Sequence, residues 1–226
     1  MRLNAYLARA GVSSRRGADK LIQAERVKVN GKPGQLNDEV SENDLIELDG
    51  RKIQSQRLRY ILLNKPDRTI TTLSDPQDRP KVTDLIDIPE RVVPVGRLDF
   101  DTTGVLLLTN DGELAHKLMH PSFEVDKTYE AKVQGTITSK ILNTLSNGVE
   151  LEDGKTAPAK TRKLSENKIE LTIHEGRNHQ VKRMLEAVGL DTRRLHRSRY
   201  GKLGVESLKP GQWRDLTLAE INGLKN

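Results

Sequence analysis

The sequence predicts an α+β protein. A small N-terminal unit of two helices and short strands precedes a larger unit, built on a mixed, largely antiparallel sheet flanked by helices. Three observations predict it. Strand-like and helix-like stretches alternate irregularly, not in a βαβ rhythm. Turn dipeptides such as Asn30-Gly31 and Asp49-Gly50 sit at the ends of short apolar alternations, a hairpin signal. The charge also changes early: residues 1–32 hold eight Lys and Arg against two acids, and residues 33–58 hold three against six. The expected division is a domain over residues 1–50, a polar linker over 51–59, and a second domain over 60–226.

Taken in order, Leu3, Leu7 and Ala10 share a helical face that Gly11 ends. Ser13 or Ser14 can cap a second helix that turns Ala18, Leu21 and Ile22 inward. Arg15 and Arg16 fall in its first turn, the unfavourable end for cations unless an anion binds there. Val27-Lys28-Val29 and Leu45 to Leu48 alternate as strands. Leu58 to Leu63 starts a strand that Pro66 cannot continue. Residues 68–89, rich in Thr, Asp and Pro, read as an ordered surface connection. Val105 to Leu108 is a short apolar run closed by Asn110-Asp111-Gly112, the pattern of a buried strand. Glu113 to His120 has helical spacing, Thr128 to Val133 reads as a strand, and Ile137 to Leu145 as a helix. Lys168 to His174 alternates as a half-buried strand, and a turn at residues 175–178 leads into a helix from His179 to Val188, ended by Gly189.

At 226 residues the chain can bury a sizeable core, and 31% charged residues suit a soluble protein. No apolar run approaches the length of a membrane span. Without cysteine there is no disulfide framework and no thiolate metal site. With no secretory pattern, that fits a cytoplasmic protein. The net charge of +6 points to an anionic partner. A second basic patch, residues 176–202, holds eight Lys and Arg against two acids, and together the patches read as a track for a phosphate backbone. The sequence has no GxxxxGK[ST], GxGxxG or GxSxG. His116 and His120 lie four apart but outside any metal-ligand pattern, so no metal is expected.

Two candidates for chemistry remain. Asp99 opens the turn before the Val105 strand, where a rigid element can fix a carboxylate; a backbone cap is the plainer reading of the same residue. Tyr129 is the aromatic in the most polar setting among only seven aromatics. It suits either a sheet face or the stacking of an unstacked base, a contact worth about 1–3 kcal/mol.

RLNAYLARAGVSSRRGADKLIQAERVKVNGK, followed by DEV and DLIELDG, resembles the S4 domain, in which the second helix and following turn bind structured RNA. The resemblance marks Arg15, Arg16, Lys28 and Asn30. Four further segments, VGRLDFDTTGVLLLTNDGELAHKLMHPS, KTYEAKV, IHEGRNHQVKRMLEAVG and LHRSRYG, resemble in order the bacterial ribosomal-RNA pseudouridine synthases that carry an S4 domain. That resemblance implies isomerisation of a uridine without cofactor or metal. It places the catalytic aspartate on Asp99, the base-stacking tyrosine on Tyr129, and the basic partner of the aspartate on Lys182, where many relatives have Arg. Arg97, Arg177, Asn178, His179 and Arg183 are then expected to contact RNA or shape the cleft, while Asp101 and Thr102 hold the turn. The expected substrate is 23S rRNA, free or in a ribosomal assembly intermediate, with a monomeric enzyme and no membrane partner. A 16S rRNA synthase and a non-catalytic assembly factor are the alternatives, and neither the target uridine nor the choice between attack at C1′ and proton removal is set by the sequence.

Overall fold

The structure, a computed structural model, describes residues 1–225. It divides into two compact units. One comprises Met1–Arg59 with the short segments Ile88–Val92 and Thr109–Glu113; the other comprises Tyr60–Asp87, Val93–Leu108 and the chain from Leu114 onward.

The first unit begins with helices α1 (Leu3–Arg9) and α2 (Arg15–Gln23). Strands β1 (Val27–Val29), β2 (Lys32–Pro33), β3 (Ile46–Leu48) and β4 (Arg51–Ile53) follow. They form an antiparallel sheet in the order β2-β1-β3-β4. Leu3, Leu7, Ala18 and Ile22 are buried against Val27 and Ile46, so the apolar helix faces meet the sheet. Leu21, expected inward, is only partly buried. Ser14 is the α2 cap: its Oγ accepts from the Gly17 amide at 3.0 Å, which satisfies one orphan donor of the first turn. The stretch read as a linker starts with a strand, because the Asp49-Gly50 turn folds β4 back on β3 and sets Ile53 opposite Ile46. Residues after β4 are pinned too. The Arg91 amide donates to Gln56 Oε1 at 3.0 Å, and Asn110 Nδ2 donates to the Arg57 carbonyl at 2.8 Å.

The rest of the chain adds β5 (Tyr60–Lys65), β6 (Val93–Val95), β7 (Thr102–Thr109), α3 (Gly112–Met119), β8 (Lys127–Gln134), α4 (Ser139–Ser146) and β9 (Lys160–Ser165). It continues with β10 (Lys168–Ile173), α5 (Gln180–Ala187), β11 (Asp191–Tyr200), β12 (Leu203–Gly204), β13 (Trp213–Asp215) and α6 (Leu218–Lys225). The expected mixed sheet forms, in the order β13-β5-β7-β11-β8-β10-β9. β7 and β11 run parallel, while β11–β8, β8–β10, β10–β9 and β5–β13 are antiparallel. Val105 to Leu108 are all buried. Successive strand residues face opposite sides, so this sheet is covered on both faces around β7. On one side Val105 and Leu107 pack with Leu114 and Leu118 of α3 and with Tyr200.

Two expectations fail. β11, ten residues at the middle of the sheet, is absent from the strands read in the sequence, because DTRRLHRSRY looks like solvated charge. Register shifts between Thr192 and Arg194 and between Arg197 and Arg199 also break its alternation. The connection over residues 68–89 is not merely superficial either, since Thr69, Thr71 and Val82 are buried.

Candidate active site

Asp99 sits on the turn that feeds β7, and that turn is held from below. Thr71 Oγ1 donates to the Leu98 carbonyl at 2.8 Å and accepts from the Leu98 amide at 3.3 Å. On the other side Lys65, fully buried at the end of β5, points its ammonium into the turn. It donates to the carbonyls of Pro66, Phe100 and Thr102 at 3.0, 3.3 and 2.8 Å. Burial pulls the Lys65 amine down to about 8, against the opposing charges of Asp67, Asp101 and Asp99. These contacts over-determine the backbone on either side of Asp99, and neither Lys65 nor Thr71 was marked by the sequence. Asn64-Lys65-Pro66 reads locally as a strand end, and only the folded chain brings Lys65 beneath residues 100–102.

Asp99 lines a small cleft of about 70 Å³. The sheet face contributes Tyr129 of β8, Ile173 of β10 and Leu195 of β11; the start of α5 contributes His179, Gln180 and Val181. Asp99 and Tyr129 therefore line one cavity. His179 precedes α5 with a left-handed backbone, φ 48°, which is strained for a residue with a Cβ. Its Nε2 lies 3.5 Å from Asp99 Oδ1.

Lys182, in the first turn of α5, approaches two carboxylates unequally. Its Nζ is 2.6 Å from Asp101 Oδ1 and 3.5 Å from Asp99 Oδ2. The tight pair is thus Lys182–Asp101, not Lys182–Asp99. Burial pushes the Asp101 carboxyl up, but the hydrogen bond and charge of Lys182 outweigh it and the net shift is down. Asp101, expected to hold the turn, makes its short side-chain bond to Lys182, and the Thr102 hydroxyl, expected to do the same, is buried with no partner among the described residues. By taking Lys182's short hydrogen bond Asp101 leaves Asp99 near two basic side chains without a close charge-assisted bond to either, the length of such bonds being about 2.7–2.9 Å.

The basic residues divide more sharply than expected. Arg177 donates to the carbonyls of Gly154 and Lys155, both at 2.7 Å, and Arg183 makes a two-pronged pair with Asp153 at 3.0 and 2.9 Å. Both clamp the 153–155 turn instead of facing solvent unpaired. Arg193 pairs with Asp191, Arg199 with Glu206, and Arg197 is buried. Much of the second basic patch is therefore paired within the fold, by Asp101 and Asp153 from distant segments and by Asp191 and Glu206 close by in the chain. Gln180 is also buried and structural: its Oε1 accepts from the Arg177 amide at 2.9 Å and its amide donates to Glu175. Arg97 and Asn178 are exposed. In the first unit Asn30 spends its side chain on the turn, donating to Asp44 and accepting from the Leu45 amide, as Asn in left-handed geometry often does. Arg15, Arg16 and Lys28 are exposed.

Residues 59–187 match the RNA pseudouridylate synthase family and residues 1–46 match the S4 domain. The chain is 48% identical to the ribosomal large subunit pseudouridine synthase B of Bacillus subtilis, over 99% of this chain and 95% of that protein. It is 42% identical to the protein of the same name from Escherichia coli K12, over 99% and 82%. Among solved structures, a pseudouridylate synthase crystal structure superimposes with a TM-score of 0.74 at 34% identity, covering 99% of both chains.

Proposed function

The chain belongs to the RNA pseudouridylate synthase family and carries an S4 domain, and from that premise we propose that it isomerises a specific uridine of 23S rRNA to pseudouridine. The observation that carries the site assignment is that Asp99 and Tyr129 line the same cleft, with Lys182 3.5 Å from the Asp99 carboxylate.

The reaction breaks the bond from N1 to C1′, turns the uracil, and joins C5 to C1′. C5 gives up its proton and N1 gains one, so nothing is oxidised or reduced. An ionised Asp99 supplies the reactive carboxylate at the sugar, either as a nucleophile at C1′ or as a base. Lys182 and His179 stand 3.5 Å from its carboxylate oxygens, and the Lys182–Asp101 pair keeps the ammonium in place without occupying Asp99. Extruding the uridine costs a few kcal/mol, and stacking on Tyr129 returns about 1–3 kcal/mol of it. Arg97 and His179, exposed and lining the cleft, meet the RNA strand together with Asn178, the exposed residue next to His179; Arg177 and Arg183 serve it by holding the 153–155 turn. The partner is rRNA or a ribosomal assembly intermediate, and the enzyme acts as a cytoplasmic monomer.

The test is pseudouridine mapping across both rRNAs in cells lacking the gene and in cells with it restored. One position in 23S rRNA is expected to lose the modification and regain it. A change confined to 16S rRNA would move the substrate, and no change at any position would leave an RNA-binding factor.

Arg15, Arg16 and Lys28 form the RNA-facing cations of the S4 unit. Replacing Arg15 and Arg16 together by Ala is expected to weaken RNA binding and flatten its dependence on log salt by about 1.4–1.8, since each phosphate contact contributes about 0.7–0.9 to that slope. Titrations at several salt concentrations measure it, and an unchanged slope would remove this pair from the phosphate contacts.

A further inference from the structure

Arg197 is a buried cation in the middle of a sheet. It is 2% exposed and stands on β11 opposite Tyr129 of β8 on one side and Gly104 of β7 on the other. Its guanidinium reaches both neighbours. Nε donates to the Val105 carbonyl at 2.8 Å, and Nη1 donates to the Tyr129 hydroxyl oxygen at 3.4 Å. The group also lies over two rings, 5.9 Å from the centre of Tyr129 and 5.3 Å from that of Tyr200. Nη2 is buried and meets no acceptor among the described residues. A buried charge with an orphan donor is a poor stabiliser, and an apolar side chain of similar volume would fill the space at lower cost. Sheet packing alone does not explain it.

We propose that Arg197 is a positioning residue for Tyr129. A guanidinium has donors only. Its contact with Tyr129 therefore makes the phenol oxygen the acceptor, and the phenol proton must turn away from Arg197. The bond to the Val105 carbonyl anchors Arg197 to β7, the strand that follows the Asp99 turn. One side chain thus sets the ring and hydroxyl of Tyr129 relative to Asp99. This rests on the reading of Tyr129 as the residue that receives the target base.

The test is a cycle of wild type, Tyr129→Phe, Arg197→Met and the double variant. Each is assayed by tritium release from a 23S rRNA transcript labelled at C5 of uridine, and by thermal unfolding. Arg197→Met is expected to lower kcat about tenfold with KM for the transcript within about twofold; in the Tyr129→Phe background the same change is expected to cost less than about twofold, because the hydroxyl it acts on is gone. Undiminished kcat in folded Arg197→Met, or equal losses in both backgrounds, overturns the proposal while leaving the synthase reading intact. No release by the wild type overturns both. If Arg197→Met does not fold, Arg197→Lys serves in the same cycle: it keeps the charge, but one ammonium cannot hold both Val105 and Tyr129. Its loss of kcat must likewise vanish in the Tyr129→Phe background.

Discussion

Asp99→Asn is expected to yield a folded, RNA-binding protein that makes no pseudouridine. The substitution keeps shape and removes charge. Asp99 is held by backbone contacts that the side chain does not make: Thr71 on Leu98, and Lys65 on Phe100 and Thr102. Its side-chain partners, His179 and Lys182, stand at 3.5 Å, and Lys182 retains its shorter bond to Asp101. A partly exposed pair of that length contributes about 0–1 kcal/mol, so the melting temperature should hardly move. The chemistry has no substitute. An amide neither attacks C1′ effectively nor accepts a proton near neutral pH, and removing a reacting group of this kind costs at least about 10⁴-fold in rate. Tritium release under single-turnover conditions measures the rate, and a binding titration with the same transcript shows that the RNA still docks. Activity within tenfold of wild type would remove Asp99 from the reaction.

The roles proposed for Asp99 and Tyr129 came from the family resemblance, but each had stood out by a local signal: a carboxylate in a turn before an apolar run, and an aromatic in a polar alternation. The same holds for the parts of the fold that depend on neighbours in sequence. KIELTI is buried at every second residue, and both turn dipeptides, Asn30-Gly31 and Asp49-Gly50, adopt the positive φ values that tight hairpins need. What was illegible depends on neighbours in space. Lys65, Asp101, Gln180 and Arg197 are ordinary polar residues until the sheet closes around them. β11 is the clearest case. Its charges suggest a surface, yet the strand pairs on both sides, and Arg197 is buried because β7 and β8 leave it nowhere else to go. Likewise Arg177 and Arg183 looked like free cations because Asp153, their common partner, lies more than twenty residues away in the chain.

Gly104→Ala is expected to damage the protein more than any other single methyl group added at a glycine of β7 or its turn. Gly104 pairs with Arg197 across the parallel β7–β11 contact and has φ 108°. A Cβ there would lie 2.2 Å from the Arg197 carbonyl oxygen, 2.8 Å from its carbonyl carbon and 2.9 Å from its nitrogen. All three atoms are backbone, so no rotamer change relieves the overlap; the strands must part. Backbone strain adds about 1–2 kcal/mol for a side chain at positive φ. With the overlap the loss should reach about 4 kcal/mol, a large share of the 5–15 kcal/mol typical of a folded chain. That corresponds to a fall of about 8–16 °C in the melting temperature. Gly96 provides the comparison. It also has positive φ, 73°, but an added Cβ meets nothing within 4 Å, so Gly96→Ala should show the backbone cost alone, about 1–2 kcal/mol. Equal melting temperatures for the two variants would mean that β7 and β11 do not approach as closely as the structure places them. A larger fall for Gly104→Ala, with tritium release lost from whatever protein stays folded, would tie the strand contact to the cleft. The methyl group that pushes β11 away also moves Arg197, and with it the hydroxyl of Tyr129.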